Sequence, residues 1–305
     1  MLFNALKPML ADWGVEAFDD EDYLFEPKWD GARILLHKQG ERIEAYTRSG
    51  IMVSAKFPEL KEVAACIRSH TAILDCEGIC LQGGQPVFDD FMYRLRLGQS
   101  LKIDHACRTH PASFIVFDVL LTHREHLDEP LLDRKRRIEE LLAPSPVLAK
   151  TLSVENQGQA LFALTKQQGM EGMVAKRKQS KYRLNTTSRD WLKLKHRRTI
   201  DTVILGYKLE PFQLVVGLQF RTVKNKPVGI VESGMGPKEQ AWFLGYVQAW
   251  PYHQEGTKRW IEPQLCCRIQ YGDRSDMHQL NRTQFVQFLP EQRAEECVWD
   301  GGKGS

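Results

Sequence analysis

Residues 26–33 read Glu-Pro-Lys-Trp-Asp-Gly-Ala-Arg. An extended, proline-containing run ends at Lys28, Asp30-Gly31 supplies a tight-turn pair, and the aliphatic residues of Ala32–Leu36 resume as a strand. That arrangement puts the amine of Lys28 at a strand end beside a turn, where it can face a cleft. A lysine becomes a nucleophile only when burial or neighbouring cations lower its pKa. Taken alone, Lys28 is more readily a surface residue next to a hairpin.

The flanking sequence frames this segment in mixed elements. β-Branched, aromatic and leucine-rich runs predict strands over Ala32–Leu36, Ile43–Thr47, Ile73–Leu81, Ser113–Leu121, Gly172–Arg177 and Trp191–Lys195. Apolar residues at three- and four-residue spacing predict helices over Pro58–Ser69, Leu131–Leu142 and Gly158–Gln168. The order lacks a strict βαβ rhythm, so an α+β domain of antiparallel sheets with flanking helices is expected and a doubly wound parallel sheet is not. A basic stretch, His196–Thr199, precedes a different pattern: strands over Thr202–Leu209, Leu214–Thr222, Val228–Ser233 and Gln264–Tyr271, with one helix over Lys238–Ala249. Short strands with turn signals between them suggest a small all-β barrel of the OB type, although a sandwich would read much the same. The expected organisation is therefore a domain over 1–199, an OB-fold domain over 200–300 and a flexible tail, Gly-Gly-Lys-Gly-Ser, over 301–305.

With 42% hydrophobic and 27% charged residues in 305, the composition suits one or two globular domains and excludes a disordered or fibrous chain. No run approaches the roughly 18 apolar residues of a membrane span, and the N-terminal Met-Leu-Phe-Asn-Ala-Leu-Lys-Pro has no secretory pattern, so a cytoplasmic protein is expected. The seven cysteines show no paired spacing and read as reduced, buried thiols. A net charge of +3 does not by itself announce a nucleic-acid partner.

Lys28-x-Asp30-Gly31 followed by Arg33 resembles the nucleotidyl-transfer signature shared by ATP-dependent DNA ligases, RNA ligases and capping enzymes. Five more elements follow in that superfamily's order: Thr47-Arg48-Ser49-Gly50, Asp75-Cys76-Glu77-Gly78, Phe114–Asp118, Glu171–Lys176 and Trp191–Lys195. The run from Glu171 to His196 is similar to the ligase domain of bacterial ligase D, the non-homologous end-joining proteins. The resemblance implies an adenylation (nucleotidyltransferase) domain before the OB fold and a DNA ligase that seals 5′-phosphate/3′-hydroxyl nicks through a lysine-AMP intermediate. It casts Lys28 as the catalytic nucleophile, with Glu26, Arg33, Arg48, Glu77, Phe117, Lys176, Lys193 and Lys195 binding the nucleotide. Glu26 would recognise the adenine edge and Phe117 would stack on the base.

The cofactors implied are ATP and Mg²⁺, with Mn²⁺ able to substitute, and the metal ligands Glu77 and Glu171. The partners implied are nicked duplex DNA and an end-binding protein such as Ku, the enzyme itself being a nucleoid-associated bacterial monomer. On charge alone, these cations suit a phosphate that gains negative charge as pyrophosphate leaves. Lys193 and Lys195 alternate on one strand face, where like-charge repulsion would lower the amine pKa of Lys28; the bland alternative is a solvated sheet edge. The basic groups Lys195–Arg198, Arg177-Lys178 with Lys181 and Arg183, and Lys224 with Lys226 would track a DNA backbone.

Two departures stand out. The family's last element carries an arginine and a lysine where Leu289 and Gln292 stand here, leaving only Arg293 nearby, and Cys76 replaces a usual glycine. An RNA ligase, a capping-type enzyme, or a nick-binding protein with weakened self-adenylation are the competing readings.

Overall fold

The structure, a computed structural model, describes residues 1–275 and 277–299, and the tail expected over 301–305 lies outside them. Chain contacts separate one compact unit, Met1–Lys195, from a second that begins at His196.

The first unit opens with β1 (Leu10–Trp13), β2 (Tyr23–Lys28), β3 (Ala32–Gln39), β4 (Arg42–Thr47), α1 (Leu60–Cys66) and β5 (Thr71–Gln82). It continues through β6 (Gln85–Pro86), α2 (Phe88–Arg96), α3 (Ser100–Thr109), β7 (Ala112–Leu121), α4 (Leu131–Leu141), β8 (Leu148–Lys150) and β9 (Val154–Glu155). α5 (Gly158–Gln167), β10 (Gly172–Arg177) and β11 (Thr187–Lys195) complete it. Two sheets form, one ordered β1-β11-β10-β2-β9 and the other β4-β3-β5-β7-β8 with β6 on β5. The expected α+β class holds, with one refinement: the sheets are mixed, because β1 joins β11 and β8 joins β7 in parallel.

Period-two alternation sorts the side chains into layers. Outward residues of β2, β10 and β11 (Phe25, Met173, Ala175 and Leu194) bury against Leu161 of α5. Outward residues of the second sheet, among them Ile34, Leu36, Leu74, Cys76 and Val116, bury against Val63, Phe91 and Ile138 of α1, α2 and α4. Cys76 therefore packs as the small apolar group its position required. Between the sheets lies a third cluster containing Leu24, Leu35, Ile73, Phe117, Tyr182 and Trp191, each large side chain contributing about 1.5–3 kcal/mol by burial.

His37 pins the N-terminal segment to β3. Its ring Nδ1 accepts the Phe3 N–H at 2.9 Å, so the imidazole is held neutral. Burial lowers its pKa to about 4, against 6.5 for an ordinary histidine. The unfolded chain therefore binds a proton before the folded one, and this contribution is intact above pH 6.5 and lost as pH falls from there to 4. We expect urea unfolding to show a loss of about 2 kcal/mol across that window, with a correspondingly shallower acid limb in His37→Leu. Equal acid limbs in the two proteins would refute it.

In the second unit β12 (Arg198–Leu209) is the long central strand, followed by β13 (Phe212–Leu218), β14 (Lys226–Val231), α6 (Pro237–Tyr246), β15 (Tyr252–Glu255) and β16 (Lys258–Ile261). β17 (Cys266–Tyr271), β18 (Asp273–Arg274), β19 (Leu280–Asn281) and β20 (Gln284–Leu289) follow. β12 pairs with β13 on one side and with β17 and then β16 on the other, and β17 pairs with β20. A bridge between Ser233 and Gln284 links the chain beyond β14 to β20. Among the described residues, no helix is long and apolar enough to cross a membrane.

Candidate active site

The same alternation gathers the sequence-predicted residues into the layer between the two sheets. Lys28 and Glu26 share a face of β2 with Leu24. Lys176 faces the same way from β10, as do Lys193 and Lys195 with Trp191 from β11. From the opposite sheet come Arg33 on β3, Asp75 and Glu77 on β5, and Phe117 on β7.

At one end, Glu171 holds two ammonium groups, Lys28 at 2.6 Å and Lys195 at 2.5 Å. The Trp13 ring lies under Lys193 at 4.5 Å and Lys195 at 5.7 Å, a cation–π contact that keeps the two lysines on one side. β11 lies between β1 and β10, so its lysines are not guarding a sheet edge.

Glycines give this end its shape. A Cβ on Gly31 would fall 2.2 Å from the Gly78 carbonyl oxygen, so the turn after Lys28 must lie directly on β5. Gly172, at φ +148°, would put a Cβ 2.0 Å from the Leu194 carbonyl. Neither backbone neighbour can rotate away. Gly31→Ala should therefore cost about 3 kcal/mol by overpacking and move Lys28 relative to Glu77. An unchanged melting temperature would remove this account of the glycine.

Electrostatics at this end correct one expectation. Burial alone would lower the Lys28 pKa, but the Glu171 and Glu77 carboxylates outweigh it and raise the pKa above the ordinary lysine value. Lys195 does not free the amine by repulsion, because Glu171 pairs with both ammonium groups. Burial opposes ionisation of Glu171, yet Lys28 and Lys195 bring its pKa down to about 2. Glu77 goes the other way: burial, reinforced by Glu171 and Asp30, raises it to about 7 against the pull of Lys28 and Arg33.

Further in, Glu26 is 3% exposed and pairs with Lys176 at 2.7 Å and with Lys135, while Ser153 donates to it at 3.3 Å. The Lys176 ammonium sits over Phe117 at 4.4 Å and Trp191 at 4.2 Å. Burial, aided by repulsion from Lys135, lowers the Lys176 pKa to about 8. Of these two site lysines, Lys176 and not Lys28 is the one whose proton is loosened.

Two expected ligands are already engaged. Arg33 forms a two-pronged ion pair with Asp75, donates to the Met9 carbonyl at 3.0 Å and lies 4.5 Å over the Phe117 ring. Phe117 is 9% exposed and carries the Arg33 and Lys176 cations over its ring, which is part of the core layer. Arg48 stands apart, exposed in the turn after β4, and its guanidinium makes no ion pair with the described residues.

Sequence reading missed Trp13, Lys135 and Ser153. Lys135 left a signal: with Arg134 it occupies the Leu131–Ile138 stripe of α4, where an amphipathic helix would place apolar residues.

The last sequence element offers little charge. Leu289 ends β20, Gln292 lies 3.9 Å from the Cys297 sulfur, and Arg293 is ion-paired with Glu296 at 2.9 Å.

The chain matches the family model described as the ATP dependent DNA ligase domain over residues 8–195. It is 32% identical to the SPbeta prophage-derived DNA ligase-like protein LigB of Bacillus subtilis over 66% of this chain and 72% of that one. It is 30% identical to the DNA ligase of Thermococcus fumicolans, covering 88% of this chain but half of that protein. With the multifunctional non-homologous end joining protein LigD of Mycobacterium bovis the identity is 30%, over 68% of this chain and 26% of the relative. The crystal structure of the ligase domain of Mycobacterium tuberculosis LigD shares the fold, with a TM-score of 0.58 at 24% identity over 98% of this chain and all of that one. The chain belongs to the family of ATP-dependent DNA ligase domains.

Proposed function

We propose that this DNA ligase seals 5′-phosphate/3′-hydroxyl nicks through a covalent adenylate on Lys28, in bacterial DNA repair or end joining. The supporting observation is the convergence of Lys28, Lys195 and Glu171, with Glu77 near, at one end of the inter-sheet layer. Lys28 Nζ attacks the α-phosphorus of ATP as the bond to pyrophosphate breaks. The adenylate then passes to the 5′-phosphate, and the 3′-hydroxyl displaces AMP.

The ion pair sets how Lys28 loses its proton. Burial favours the neutral amine, and the carboxylate charges of Glu171 and Glu77 oppose it. Once those charges are compensated, burial prevails and the amine becomes nucleophilic. Lys195 already compensates part of the charge on Glu171.

Glu77 and Glu171 would hold Mg²⁺, or Mn²⁺ in its place. The fit rests on Glu77, a half-buried carboxyl whose pKa is raised to about 7 and which a divalent cation would ionise. Among the described residues no group of three or more His, Cys, Asp or Glu side chains stands ready for a metal, which suits an ion that keeps waters and takes phosphate oxygens. When bound, it would supply charge stabilisation for the α-phosphate.

In this reading Glu26 and Lys176 would recognise the base, and Lys193 and Arg48 would meet phosphate or ribose. The second unit, read as an OB fold, would hold the duplex backbone with Lys224 and Lys226, and Lys181 would add a contact from the first unit. Such binding is sequence-independent and weakens with salt.

Mass spectrometry of the protein after incubation with ATP should find one added AMP, mapped to Lys28, and a labelled nick should be sealed. Labelling by GTP instead would favour the capping-type reading. Nick binding without any adenylate would favour the nick-binding reading, which the engagement of Arg293 by Glu296 supports.

A further inference from the structure

We infer that Lys135 of α4 is a positioning residue that sets the nucleotide pocket by tying Glu26 on one sheet to the Phe117 carbonyl on the other. The inference rests on the reading of this layer as the site of adenylation.

The two sheets share no backbone ladder, so their separation at the pocket depends on what spans them. Apolar packing does this deeper in, through Trp191, Tyr182 and Leu35. At the polar end the span is an ammonium. Lys135 Nζ donates to the Phe117 carbonyl at 2.6 Å and forms an ion pair with Glu26, with the side chain 14% exposed. A primary ammonium has three donors, so one side chain can hold both acceptors at once.

The helix makes this reach possible. α4 straddles the sheet edge: Leu131 packs between the sheets, whereas Ile138 and Leu141 pack on the outer face of the second. Arg134, one position earlier, is locked onto Asp118 of β7 at 2.7 Å, which fixes the helix against the strand carrying Phe117. Lys135 also lines a cavity of about 300 Å³ with Leu24, Leu132, Thr151 and Ser153, so the strut stands beside open space rather than solid core.

Lys135 is not needed to neutralise Glu26, because Lys176 holds the same carboxylate. Its removal leaves no uncompensated buried charge there. What is lost is the link between the two sheets at the pocket, a loss that bears on nucleotide affinity rather than on the chemical step.

The test is single-turnover adenylation of the full chain across a range of ATP concentrations, for wild type, Lys135→Met and Lys135→Arg, with melting curves alongside. Lys135→Met should raise the half-saturating ATP concentration about tenfold and leave the maximal rate within about threefold. Lys135→Arg, which keeps two donors in reach, should recover most of that affinity. Unchanged half-saturation in Lys135→Met overturns the inference, as does a fall in maximal rate that both variants share. Should Lys135→Met melt early, Lys135→Gln at matched stability decides by the same criterion. Failure of the wild type to label at all would instead sink the adenylation reading on which the inference rests.

Discussion

Lys28→Arg should form no detectable protein adenylate, a loss of at least about a thousandfold in labelling, while binding a nicked duplex within about twofold of the wild type. The substitution isolates nucleophilicity from charge. A guanidinium keeps the positive charge that Glu171 requires and can retain the ion pair now made at 2.6 Å. It cannot shed its proton at any accessible pH, so it cannot attack phosphorus. A simple loss of pocket structure would instead lower the melting temperature and nick affinity together. Lys28→Ala should match Lys28→Arg in labelling but differ in stability, because it leaves Glu171 with Lys195 alone. Supplied with a nick already carrying AMP on its 5′-phosphate, Lys28→Arg should retain far more sealing than it retains with ATP, since the attack of the 3′-hydroxyl does not use the amine. Protein labelled on another residue in either variant would remove Lys28 from the proposed role.

The elements that carried the resemblance were legible because they are local: a strand end with Asp-Gly, an apolar strand ending in Cys-Glu-Gly, and lysines alternating in Trp191–Lys195. Strand alternation then gathers their inward members into one layer, since the inward set of each strand is fixed once one member is known. The direction of the Lys28 pKa was not legible. Sequence shows Lys193 and Lys195 sharing a face, but the carboxylate that pairs with both Lys195 and Lys28 comes from Glu171, 143 residues from Lys28 along the chain. β1 was missed because four half-buried residues paired in parallel leave no alternation to read. β2 was only partly seen, since Pro27 argues against a strand interior. It is tolerated because β9 covers only Leu24 and Phe25, leaving Pro27 beyond that ladder. The α2–α3 pair went unread because its helices are short and carry charged residues on most turns. Lys135 and Arg134 are the instructive case: charges on a buried stripe signalled a function that a search for apolar periodicity passes over.

Arg134→Met should be among the most destabilising substitutions in the first unit, costing about 3–5 kcal/mol. Arg134 and Asp118 are both fully buried and meet through paired contacts of 2.7 and 3.0 Å. Burial would raise the Asp118 pKa, but Arg134 in particular holds it below the usual carboxylate range. Without the guanidinium, the carboxylate must either stay charged in the core or take up a proton, and the carbonyls of Glu129 and Ser180 lose their donor. A buried pair is weak evidence of net stabilisation, because two desolvated ions are traded for their mutual attraction. The decisive comparison is therefore the double variant, Asp118→Leu with Arg134→Met. If the single loss reflects an orphaned charge, the double variant should regain at least about half of it in urea unfolding. If the double variant is as unstable as the sum of the two singles, the pair is not the source, and the strut of α4 against β7 must rest on its apolar contacts alone. A double variant that folds well but still binds ATP weakly would carry the same argument into function. Arg134 would then orient α4, and with it Lys135, toward the nucleotide, in a way that no apolar pair of similar volume can replace.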